Sequence, residues 1–208
     1  MTILVQGEQK IVYDLGDRVR SVARPGHPIN GYNCVALQIS HRLFPENFPL
    51  VHEWAAGEHP DGFMIVQRIP TTPEYEARVR CHYHSWAYGK DYESGIDYRL
   101  GKKHEAWIKQ ESVQIVADDI LRAGIRIAVN PVNVIQNAGT GHPVFLEFGV
   151  DDMYQELPPF VSAAVEKYIH DNEGHNKDEL LEMLKRYVLL RKEEYHPIPT
   201  ADILMFID

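Results

Sequence analysis

Up to about residue 150 the chain is cut into short β-favouring runs by Gly, Pro and Asn, and beyond that point helical periodicity takes over. This switch near residue 151 constrains the fold more than any other feature of the sequence. The runs lie at 10–13, 34–39, 62–68, 76–84, 106–109, 112–117, 124–129, 133–136 and 144–148. Val113 with Ile115, and Ile125 with Ile127 and Val129, alternate as in a strand with one buried face. Many short strands between turn residues predict an antiparallel sandwich or barrel. The expected organisation is a β-rich body over 1–150 with a helical segment, 151–208, packed on the same domain.

Two helices are predicted in that segment. Over 159–170, Phe160, Val161, Ala164, Val165, Tyr168 and Ile169 form one stripe behind Pro159. Over 177–193, Leu180, Leu181, Leu184, Tyr187, Val188 and Leu190 do the same, with Asn176 and Glu179 at capping-box spacing. The apolar run Ile203-Leu204-Met205-Phe206-Ile207 predicts a docked strand or a subunit contact, and with it a homodimer of two-fold symmetry.

With 208 residues, 44% hydrophobic and 25% charged, the chain has the composition of an ordinary globular domain. No apolar run approaches the ~20 residues of a membrane span. The first residues lack the basic and apolar pattern of a secretory signal, so a cytoplasmic protein is expected. Cys34 and Cys81, the two cysteines, then read as reduced thiols. A formal net charge of −9 argues against nucleic acid as a partner. A small-molecule ligand is the expected partner.

The strongest cluster of chemical groups is Cys81-His82-Tyr83-His84. On a strand, His82 and His84 share a face, so two imidazoles can approach one metal ion, although surface polarity alone also produces this pattern. His104 and Glu105 are the candidates to complete such a site, and Glu105 is preferred because neighbours on a strand face opposite ways. Tyr83 and Tyr98 are candidate pocket residues. His59-Pro60-Asp61, with His142 further on, has a spacing used by iron/2-oxoglutarate oxygenases, although a turn explains the tripeptide more simply. The 139–142 stretch is too short for a phosphate loop, and no Gly-x-Ser-x-Gly is present.

His104-Glu-Ala-Trp-Ile, Ser112-Val-Gln-Ile-Val and Asn133-Val-Ile-Gln-Asn-Ala-Gly-Thr-Gly-His-Pro-Val-Phe-Leu-Glu147 together resemble the core of the cupin superfamily, over residues 76–149. The resemblance implies a cupin-like antiparallel barrel or jelly roll. It implies that His82, His84 and Glu105 hold a divalent ion (Fe, Zn, Mn or Ni), with Asn133 where the family has a third histidine. The function it implies is a metal-dependent isomerase or oxygenase acting on a small polar molecule such as a sugar derivative or carboxylic acid. Asn133 keeps a rival open, a metal-free module that binds a ligand or a protein. An iron/2-oxoglutarate oxygenase centred on His59 and Asp61 is the third possibility.

Overall fold

The structure is a computed structural model that describes residues 2–6, 10–88, 94–146, 148–150, 159–170 and 177–194. The chain divides into two compact units, Met1–Arg68 with Val150–Asp208, and Ile69–Gly149.

The first unit is built on five strands: β1 (Thr2–Gln6), β2 (Lys10–Asp14), β3 (Arg18–Ala23), β4 (Val51–Ala55) and β5 (Phe63–Gln67). They form one open antiparallel sheet in the order β1-β2-β3-β5-β4. Between β3 and β4 the chain forms a helix, α1 (Gly31–Leu43). The helices α5 (Pro159–His170) and α6 (Lys177–Glu194) complete this unit. Ala23, Ile29 and Cys34 form a buried cluster against which Trp54 and Met64 pack. Phe160 of α5 meets Tyr187 of α6 edge to face, with ring centres 5.3 Å apart. Of the two predicted stripes, Phe160, Val161, Ala164, Val165, Leu180, Leu184, Tyr187 and Val188 are buried. Asn176 and the 203–207 run, on which the cap and the dimer expectation rest, lie outside the described residues.

The first turn of α1 has no acidic side chain, and Asn30 makes no side-chain cap. Its N–H groups are met instead by α6, whose Glu194 carboxylate accepts from Gly31 at 3.2 Å and from Tyr32 at 3.4 Å. Arg186 and Arg191 of α6 lie over the rings of Trp54 and Tyr32, at 4.5 and 4.8 Å.

The second unit is mainly helical: α2 (Pro73–Tyr88), α3 (Gly95–Ile108) and α4 (Glu111–Arg122). Four three-residue strands accompany them. These are β6 (Ile125–Ile127), β7 (Val134–Gln136), β8 (Pro143–Phe145) and β9 (Phe148–Val150), paired β6 with β9 and β7 with β8. Helices α2 and α3 are tied by Arg80, which donates to both oxygens of Asp97 at 3.0 and 2.9 Å. A Cβ on Gly101 of α3 would lie 3.2 Å from the Arg78 Cα of α2. Gly101→Ala is therefore expected to push the helices apart and destabilise the protein by about 1–3 kcal/mol in urea unfolding.

The cupin-like barrel is not found: the described residues form six helices, one five-stranded antiparallel sheet and two two-stranded sheets, with no closed barrel among them. The error lies in four runs predicted as strands. Residues 34–39, 76–84, 106–108 and 112–117 belong to α1, α2, α3 and α4, and Lys109 caps α3. Short apolar runs do not distinguish a strand from a buried helix by periodicity, and α1 buries Cys34, Val35, Ala36, Leu37, Ile39 and Ser40, on most of its circumference. In α4 the alternation of Val113 and Ile115 misleads. The buried set is Val113, Ala117 and Ile120, a helical spacing, while Ile115 is 53% exposed.

Candidate functional site

The premise of the metal site was a strand carrying His82 and His84, and both residues lie on α2. Two positions along a helix are about 200° apart, so the imidazoles do not share a face. Both residues are exposed, and the His82 ring stands edge-on to Tyr83, centres 5.9 Å apart. Glu105, on α3, is engaged elsewhere. Its Oε2 accepts from Lys102 Nζ at 2.7 Å, and its Oε1 lies 3.1 Å from Arg78 Nε. Among the described residues no group of three His, Cys, Asp or Glu side chains could hold a metal ion. His82 and His84 thus stand on different faces of α2, and Glu105 is held by Lys102 and Arg78.

The other candidates are also placed by structural contacts. His59 Nδ1 is 2.9 Å from the Ala23 carbonyl in the first unit, and His142 lies in the second, between β7 and β8. Asp61 is exposed in a turn. Tyr98 carries the Lys102 ammonium 5.4 Å from its ring centre, and Tyr83 is half-buried. Burial pushes the Cys34 thiol up to about 12 and raises that of Cys81 as well, so neither is an activated nucleophile.

Segment 128–133, between β6 and β7, is supported by side chains from two helices. Asn130 opens it as a turn: its side-chain oxygen accepts from the N–H of Val132 and of Asn133, both at 3.1 Å, and its carbonyl accepts from Asn133 N–H at 3.1 Å. Pro131 fixes the next backbone angle. Two helices then hold the carbonyls that follow. From α2, the Tyr75 hydroxyl donates to Val132 O at 3.1 Å. From α3, His104 Nε2 donates to Val134 O at 3.0 Å. Because a carbonyl only accepts, the proton must sit on Nε2.

His104 is fully buried. Its ring stacks on Trp107, centres 5.3 Å apart and planes 26° apart, and meets Tyr75 edge-on at the same separation. Nδ1 is buried without a hydrogen-bond partner. Burial pushes its pKa down, with a smaller opposing effect from the Val134 carbonyl, so the ring is neutral at neutral pH. On the far side of the segment, Asn133 O accepts from Leu146 N–H at 2.9 Å. The outcome is a half-buried segment, Ala128 to Asn133, clamped from below by aromatic side chains.

The sequence names Asn133 and His104 but gives neither this role. The legible signal was Asn130-Pro131, a turn-initiating pair, three residues ahead of Asn133. Trp107 falls inside the 106–109 run that reads as a strand, and Tyr75 stands one residue ahead of the 76–84 run, so neither pattern shows that both face His104.

No protein-family model matches the chain, and no curated protein matches it at a significant level. No described helix is long and apolar enough to cross a membrane.

Proposed function

We propose that the chain is a binding module without a resident metal, and that the 128–133 segment is its ligand-facing element. One observation carries this reading. Two buried side chains from two different helices, Tyr75 and His104, are committed to backbone carbonyls at 132 and 134. Holding a half-buried connection this firmly goes beyond what joining β6 to β7 needs. A pre-formed polar segment lowers the ordering cost of binding.

A narrower form is favoured by the order of elements. Phosphoryl transfer of the protein-kinase type uses a lysine on a third strand, paired with a glutamate on a helix. It also uses an Asp five residues ahead of a metal-binding Asn, and an Asp-Phe-Gly turn. Here β3 leads into α1, Asn133 stands before β7, and in the sequence Glu147 precedes Phe148-Gly149, the first two residues of β9. The groups that carry the chemistry are replaced. Val22-Ala23 closes β3 and Arg24 follows it, α1 contains no acidic residue, and Ala128 occupies the position five before Asn133. In this form the chain resembles a phosphotransferase that lacks its general base and binds without turnover. The likeness is one of plan, and the site argument above does not depend on it.

ATP is the probe that tests both forms. Titrated into the labelled protein with and without Mg²⁺, it is expected to shift the backbone resonances of Arg126 to Asn133 with no phosphate release. ATP hydrolysis abolished by a change at His82, His84 or Glu105 would overturn the proposal. Shifts confined to other segments would remove 128–133 as the ligand-facing element.

A further inference from the structure

We propose that acid releases the 130–134 segment, with His104 as the trigger. His104 is completely buried between the faces and edges of Tyr75 and Trp107, with one nitrogen bonded to Val134 O and the other without a partner. A second proton would have to go on Nδ1, creating a buried N–H donor and a full charge in aromatic surroundings. The charged and titratable groups that face the ring come from α2: Tyr75, Glu74 and Arg78. Arg78 opposes a second positive charge, Glu74 favours it weakly, and the Tyr75 hydroxyl is pushed further up by burial and stays neutral. On α3 the neighbouring Trp107 carries no charge, and β7, Val134-Ile135-Gln136, has no titratable side chain. The remaining opposing influence is the carbonyls of Val134 and Pro131, which favour the protonated ring less than burial disfavours it.

The sign follows from this balance. The folded-state pKa of His104 lies below its ordinary value of 6.5. The open state, in which the ring meets water, therefore binds more protons as pH falls through that value. Closure of the segment is fully favourable above pH 6.5 and weakens below it, until the lowered folded pKa is reached. Opening detaches Val134 O from its donor, and with it the turn that Asn130 builds. That acid would also expel a bound ligand rests on the reading of this segment as ligand-facing, whereas the release itself does not.

Amide exchange in the ligand-free protein tests the release. The protected N–H groups are those of Val132, Asn133 and Leu146, each of which donates a hydrogen bond within or onto the segment. Corrected for intrinsic exchange, their opening constant is expected to rise by up to tenfold per pH unit between about pH 6.5 and the lowered pKa. Amides of α1 such as Val35 and Leu37 should show no such rise. In His104→Gln, whose amide can still donate to Val134 O, the rise should disappear. A flat wild-type profile, an equal rise in α1, or the same rise in His104→Gln would overturn the proposal. Because the wild-type contrast between the segment and α1 needs no variant, the test stands even if the variant fails to fold. If exchange responds while ATP leaves 128–133 unshifted, the switch stands and the ligand reading falls.

Discussion

Gly62→Ala is expected to be among the most damaging single substitutions in the chain, costing more than about 4 kcal/mol and leaving little folded protein. A Cβ at this position would lie 1.9 Å from the carbonyl oxygen of Gly57 and 2.7 Å from its carbonyl carbon. Both are backbone atoms, and they cannot yield cheaply. Gly57 is fixed on one side by a reciprocal pair of hydrogen bonds with Ile29, each 2.9 Å. Gly62 is fixed on the other, accepting from Ala23 N–H at 2.9 Å and donating to Glu58 O at 2.8 Å. Relief of the clash must break one of these pairs and disturb the Ala23–Ile29–Cys34 cluster beneath. Gly139→Ala is the control. Its nearest neighbour would be the side-chain oxygen of Asn137 at 3.4 Å, an ordinary contact, and its effect should fall within about 0.5 kcal/mol. Comparing the yield and urea midpoint of the two variants checks the prediction. Equal stability would show that the 57–62 turn moves freely.

His104→Ala is expected to destabilise by about 3–5 kcal/mol, which is large for a residue that sequence alone offers as a spare metal ligand. Two losses add. The buried Val134 carbonyl loses its donor, worth about 1–3 kcal/mol, and the space between Tyr75 and Trp107 becomes a cavity. Tyr75→Phe separates the contributions, since it removes only the hydroxyl bond to Val132 O and should cost about 1 kcal/mol. His104→Gln should fall between the two. Denaturant unfolding of the three variants, with near-equal m-values, would establish the order. An effect of His104→Ala below about 1 kcal/mol would mean that the clamp on the 130–134 segment is dispensable.

Where the sequence carried a long, one-sided stripe, the fold was legible. Helices α5 and α6 lie where Phe160 to Val165 and Leu180 to Val188 place them. Strands β2, β5, β6, β7 and β8 also fall within or closely overlap the runs read as strands. The helix with the largest consequence for the site imitates a strand. In α2, Glu76-Ala77-Arg78-Val79-Arg80-Cys81 contains an alternation of apolar and charged residues that imitates a strand, yet Ala77 and Cys81 are the buried pair and are one helical turn apart. Read as a strand, this stretch gives His82 and His84 a common face that the helix denies them. The true support of the 128–134 segment was equally hard to read, because Tyr75, His104 and Val134 are brought together only by packing of α2 and α3. No local pattern encodes that contact. The role of Glu194 at the start of α1 is another case, joining residues 163 positions apart.

The central claim is that this chain works without a metal held by His82, His84 and Glu105. Elemental analysis of freshly purified wild-type protein beside His82→Ala, both exposed in turn to iron, zinc, manganese and nickel salts and then desalted, tests it most directly. The account predicts well under one equivalent of each metal, with no difference between the two proteins. One equivalent of a single metal in the wild type, lost in His82→Ala, would contradict it.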